Sequence, residues 1–157
     1  RTKYKMESFP LSKILNEVIY NANMLLKEGQ SIAYPEDIDD IILVCDETTL
    51  EIILSNLINN AVKYSAENTT IKIVVEKEEE YFNLKVIDQG IGIPEKEQKH
   101  IFSRYFRAEN ALLNEGTGIG LNIVKGHIEN LGGTIDFESK ENVGTTFYIR
   151  MPLNVNI

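Results

Sequence analysis

Apolar positions along this chain change period several times, and each change marks an element. Leu11, Ile14, Leu15, Val18, Ile19 and Ala22 recur at helical spacing, which predicts a helix opened by Pro10 or Ser12 and ended by Gly29, after a short edge strand over 5–9. Residues 31–34 and 41–45 read as strands joined by the acidic connection 35–40. Leu50, Ile53, Leu54, Leu57, Ile58 and Ala61 then form a broad apolar face on a long helix, capped by Asp46, with Glu47 in its first turn and an end near Ser65. Residues 70–77 and 81–88, the second with Phe82, Leu84 and Val86 alternating on one side, make a hairpin around the acidic turn 78–80. A short polar helix over 95–99 comes next. Gly116–Leu121 opens a further helix that runs through Val124, Ile128 and Leu131 to Gly132 and Gly133, and 134–139 with 144–152 make a terminal hairpin.

Three stretches carry candidate chemistry. The strand with Phe82, Leu84 and Val86 inward gives way to Asp88-Gln-Gly90-Ile-Gly92-Ile93-Pro94. Taken alone this reads as a turn. Placed where a strand leaves a sheet, however, Asp88 is an acceptor at a pocket floor, suited to an exocyclic amino group such as that of adenine. Gly90 and Gly92 permit unusual φ and close approach, and Ile93 can supply an apolar wall. On the long helix, Asn56, Asn60 and Lys63 sit at i, i+4 and i+7, one polar stripe able to offer oxygen to a hard cation such as Mg²⁺ and positive charge to phosphates. Gly116-Thr117-Gly118-Ile119-Gly120-Leu121 exposes main-chain N–H groups at a helix start, a phosphate-binding device. It follows the polar stretch 108–115 and not a buried strand, so it is not a dinucleotide fingerprint, and it lacks the Gly-Lys-Ser/Thr of a Walker loop. Before it, Phe102, Tyr105 and Phe106 with Arg104 and Arg107 suit a flap that packs down with its arginines toward an anion.

In this order the motifs resemble the ATP-binding catalytic domain of sensor histidine kinases, within the gyrase, chaperone, histidine kinase and mismatch-repair ATPase superfamily. The N box is similar to 56–65, the two glycine boxes to 88–94 and 116–121, and the F box to 102–107. The resemblance implies an α/β two-layer sandwich of mixed sheet on helices, the Bergerat-type ATP-binding fold, as one domain over 1–157 with an ATP lid over about 95–115. It implies that Asp88 accepts from the adenine amino group, with Gly90, Gly92 and Ile93 at the base and Thr145 assisting, and that Asn60 binds Mg²⁺. Lys63 and Arg107 would meet phosphates, Asn56 and Tyr64 would line the site, and amides from Gly116, Thr117, Gly118, Gly120 and Leu121 would cradle the triphosphate.

Hydrolysing relatives carry a Glu four residues before the magnesium Asn, where Asn56 stands here. A base for water is therefore missing on that stripe, which favours transfer to a protein nucleophile. His100 and His127 are each followed by Ile, not by the acid that follows an acceptor histidine in the family. The acceptor is expected on an upstream dimerisation domain of a homodimeric kinase that serves a response regulator. A nucleotide-dependent binding module without transfer and an anti-sigma-type serine kinase are the alternatives.

Composition narrows the surroundings. The 157 residues are 43% hydrophobic and 25% charged, enough for one real core, and the net charge of −8 argues against nucleic-acid binding. Cys45 lies in an apolar strand, which fits a buried thiol in a reducing, cytoplasmic compartment. No apolar run reaches the roughly 20 residues of a membrane span, and a start at Arg1 without methionine suits a fragment whose anchor, if any, lies upstream.

Overall fold

The computed structural model describes residues 3–103 and 120–156. Among the described residues, seven strands and three α-helices follow in the order β1 (Met6–Pro10), α1 (Leu11–Asn23), β2 (Ser31–Ala33), β3 (Ile42–Asp46), α2 (Glu47–Tyr64), β4 (Thr70–Lys77), β5 (Tyr81–Ile87), α3 (Gly120–Asn130), β6 (Thr134–Lys140) and β7 (Gly144–Pro152), with a 3-10 helix at Glu95–His100. Five strands form one sheet in the order β2-β4-β5-β7-β6, in which β2 runs parallel to β4 and the remaining pairs are antiparallel. A two-stranded antiparallel sheet pairs β1 with β3. The helices cover the larger sheet, so the architecture is the expected α/β sandwich of mixed sheet on helices.

The core lies where helix and strand periods meet. Phe82, Leu84 and Val86 alternate inward from β5 against Leu50, Ile53, Leu54, Leu57 and Ile58 of α2, all but fully buried. Each such side chain contributes about 1.5–3 kcal/mol by leaving water. Cys45 is buried as expected, and burial pushes its thiol up to about 11.

Both ends of α2 are tied down. Asp46 Oδ1 accepts from the Thr49 amide at 2.8 Å, the predicted cap, and its Oδ2 accepts from the Lys5 amide at 2.6 Å. At the other end Lys27 Nζ donates to the carbonyls of Lys63 (2.7 Å) and Ser65 (2.6 Å), while Gln30 Nε2 reaches those of Val62, Ser65 and Ala66 at 3.1–3.2 Å. These bonds satisfy carbonyls that a helix end leaves without partners.

One expected boundary is wrong. α1 ends at Asn23, not at Gly29, because the Met24 amide already bonds back to Asn21 and Ala22 in a tightened last turn. Gly29 instead takes a left-handed φ of 73° in the turn beside Asn68. The expected lid over about 95–115 is described only to Ser103, and Arg104, Tyr105, Phe106 and Arg107 lie outside the described residues. Phe102 stands edge-on to Phe137 at 5.9 Å with Lys125 over its ring at 4.8 Å, and Phe137 stacks on Phe147 in turn.

Candidate functional site

The Asp88 loop is fixed from three directions. The Asp88 amide donates to the Thr145 carbonyl at 2.9 Å, so the loop leaves the sheet still paired to the start of β7. Asp88 Oδ1 accepts from the amides of Gly90 and Thr145, both at 3.0 Å. No hydrogen bond from the described residues reaches Oδ2, which leaves one carboxylate oxygen for a donor. Burial pushes the Asp88 carboxyl up to about 6 despite the two amides, which pull the other way.

The glycines are needed for different reasons. Gly92 has φ 66°, and a Cβ there would run into the Lys140 carbonyl. Gly90, contrary to the expectation of unusual φ, has none; its requirement is space, since a Cβ would strike the Tyr64 carbonyl oxygen. That contact joins the loop to the end of α2, where the Ile91 amide donates to the same Tyr64 carbonyl at 3.2 Å and Ser65 bridges to Gly90.

On α2, Asn60 Nδ2 donates to Asn56 Oδ1 at 3.1 Å, which confirms that the two carboxamides share a face. The bond uses the Asn56 oxygen, and no described residue donates to Asn60 Oδ1. Lys63 Nζ lies 5.7 Å from the Tyr64 ring centre. Gly120, the first residue of α3, packs so tightly on Asn56 that a Cβ would meet its Nδ2. The second glycine stretch therefore ends directly against the polar stripe. Leu121 packs onto the core beside it. Gly116, Thr117, Gly118 and Arg107 lie outside the described residues.

Sequence reasoning missed the supports of the loop. Ser139 on β6 takes the Ile93 amide on its Oγ at 2.8 Å and pairs with Thr145 Oγ1 at 2.7 Å, and Gln98 Nε2 donates to the carbonyls of Ile93 and Ser139, both at 3.0 Å. A serine 46 positions away leaves no local signal. Asn59 and Asn122, on the two helices that border the site, each bury a side-chain oxygen that has no partner among the described residues.

An open depression of about 370 Å³ runs along α2 past Ser55, Asn56, Asn59 and Asn60. Glu51 borders it too, but five residues before Asn56 it is turned about 140° around the helix from that stripe. Among the described residues no group of three or more His, Cys, Asp or Glu could hold a metal unaided. The single free oxygen of Asn60 fits a cation that arrives largely ligated by phosphate and water.

A mixed sheet under helices, with a buried carboxylate where β5 leaves the sheet and the start of α3 packed on the polar stripe of α2, makes an α/β sandwich with its candidate site beside α2. The chain belongs to the histidine kinase-, DNA gyrase B- and HSP90-like ATPase family, which it matches over residues 45–155. It is 32% identical over 156 residues to the sensor histidine kinase YvrG of Bacillus subtilis (strain 168), a match covering 94% of this chain and 27% of that protein. The sensor histidine kinase WalK of the same organism is 38% identical over 117 residues, 72% of this chain and 19% of WalK. Among solved structures, the catalytic domain of the histidine kinase ThkA superposes with a TM-score of 0.79 at 29% identity, covering 96% of this chain and 97% of that one. The chain thus spans less than a third of these curated relatives but almost all of a histidine kinase catalytic domain. No helix among the described residues is long and apolar enough to cross a membrane.

Proposed function

We propose that this chain binds Mg·ATP and passes the γ-phosphoryl group to a histidine on a separate dimerisation domain of a longer, homodimeric sensor kinase, which then serves a response regulator. The observation that carries the transfer half of this reading is the Asn56–Asn60 pair. The position from which a carboxylate could activate water holds a carboxamide whose oxygen is already engaged. Water at that stripe lacks a base, so bound ATP is protected until a better nucleophile arrives.

In this reading Asp88 Oδ2 accepts from the adenine amino group while Gly92, Ile93 and Thr145 shape the base pocket. Asn60 Oδ1 would hold Mg²⁺, which supplies charge neutralisation on the phosphates when bound. Lys63 and Arg107 add positive charge, Asn56 and Tyr64 line the approach, and amides from Gly116 to Leu121 cradle the triphosphate. Transfer of this kind rests on positioning and electrostatics, and the fold supports both by anchoring the loop and the stripe to one core.

The test uses radiolabelled ATP. Alone, the chain is expected to turn ATP over very slowly and to label itself negligibly. Mixed with the dimerisation domain of its own kinase it should label that domain, weakly, since mixing lacks the effective concentration that linkage provides. The label should be acid-labile and alkali-stable, as phosphohistidine is. Efficient self-labelling or an acid-stable product would defeat the reading and favour a serine kinase, and nucleotide binding without any label on the added domain would favour a regulatory module.

A further inference from the structure

A second concavity, of about 390 Å³, lies between the outer side of α1 and the connection from β2 to β3, and none of the proposed nucleotide residues lines it. Because α1 buries Leu11, Ile14, Leu15, Val18 and Ile19, its positions 16, 20 and 23 form the opposite stripe, and Asn16, Tyr20 and Asn23 face this groove. Tyr20 is 68% exposed and Tyr34, on the facing wall, 39%. Ile19 and Ile38 give the floor an apolar part. Two carboxylates, Glu36 and Asp39, complete the wall, and Asp37 and Asp40 stand next to them in the same connection.

The charge of this groove is one-sided. Among the described residues no lysine or arginine lines it, and none of the four carboxylates forms an ion pair. Ser12, only 9% exposed, also lines the groove and adds a hydroxyl beside the carboxylates.

We propose that this groove docks a basic segment of a partner protein, with an arginine or lysine stem on Ile19 and Ile38 and its cationic head over the Tyr20 and Tyr34 rings toward Glu36 and Asp39. Tyrosine faces attract cations, methylene stems cover apolar floor while the head stays polar, and the acidic wall rejects phosphates and acidic peptides. Ser12 would accept from the incoming head group. A protein segment suits the surface better than a small cation because the exposed apolar strip continues past the groove through Met24 and Leu25, 69% and 55% exposed.

The test is a chemical-shift titration of the isotopically labelled chain with a ten-residue peptide alternating arginine and alanine, against a glutamate–alanine peptide and arginine amide. Saturable shifts confined to Asn16, Tyr20, Asn23 and the 34–39 connection are expected with the basic peptide. Tyr20→Ala leaves charge unchanged and should weaken binding about fivefold, on the order expected for a lost cation–π contact. Glu36→Gln combined with Asp39→Asn should weaken it by a similar factor and flatten its salt dependence. Adenosine affinity should be the same in all three proteins, which shows that each is folded. Shifts spread without saturation over a surface of net charge −8, equal binding of the acidic peptide, undiminished binding by Tyr20→Ala, or arginine amide binding as tightly as the peptide would each overturn the proposal.

Discussion

If Asp88 accepts from an adenine amino group, affinity should depend on pH in a way set by the burial of that one carboxyl. Its pKa stands at about 6 in the empty protein, against an ordinary 3.8. A protonated carboxyl must ionise before it can serve as the acceptor, so apparent affinity falls by a factor of 1 + 10^(6 − pH), which is about 1 at pH 7.5 and about 11 at pH 5, or roughly 1.4 kcal/mol. A carboxyl with the ordinary value would give a factor of only about 1.06 at pH 5. Adenosine is the ligand to use, because it carries no phosphate to titrate over the same range. Asp88→Asn removes the titration and presents an NH₂ to the base amino group, so it should cost about 1.5–3 kcal/mol of affinity and abolish the pH step. Stability should move the other way. A carboxyl whose folded pKa is raised contributes stability that is fully present below its unfolded pKa and is lost as pH rises from about 4 through 6, so the charged form weakens the empty fold at neutral pH. Asp88→Asn should therefore leave Tm at pH 7.5 unchanged or raise it while binding is lost. Adenosine affinity that is flat between pH 7.5 and 5, or retained in Asp88→Asn, would refute the role.

Further predictions rest on the supports of the site. Gly92→Ala forces a side chain into φ 66° against the Lys140 carbonyl and should destabilise by about 1–3 kcal/mol in urea unfolding, with adenosine affinity falling in parallel; unchanged stability would show that the loop can shift. Asp46→Ala removes the acceptor of the Thr49 and Lys5 amides and should cost about 1–2 kcal/mol by the same measurement. Asn60→Ala, at a partly exposed helix position, should stay within about 0.5 kcal/mol of the parent in stability yet weaken ATP binding in Mg²⁺ and leave binding in a chelator unaltered. Equal loss with and without Mg²⁺ would show that Asn60 does not serve the metal.

Local chemistry explains which of these features were legible beforehand. The α2 face, its Asp46 cap and the β4–β5 and β6–β7 hairpins follow from periods of 3.6 and 2 that short windows display. The end of α1 was misplaced because Met24, Leu25 and Leu26 continue an apolar run, although Met24 and Leu25 turn outward and the backbone has already closed its last turn. Strand partners carry no such signature. Nothing in residues 31–33 tells that they run parallel to β4 and not against β3, because register depends on where α1 and α2 deliver the chain.

The site divides along the same line. Asp88, Gly92 and the Asn56–Asn60 stripe are legible as residue types at fixed spacing, whereas their placement depends on distant contacts. The Asp88 loop holds its shape through Thr145, Ser139 and the Tyr64 carbonyl, which come from β7, β6 and α2. A carboxylate that follows a strand is common, and what makes this one a candidate for adenine is that both amides fall on Oδ1. Those amides come from Gly90, two residues on, and Thr145, 57 residues on. The first is a turn that the sequence suggests by itself. The second exists only because β7 pairs with β5, so the oxygen left over for a ligand is a property of the sheet and not of the motif.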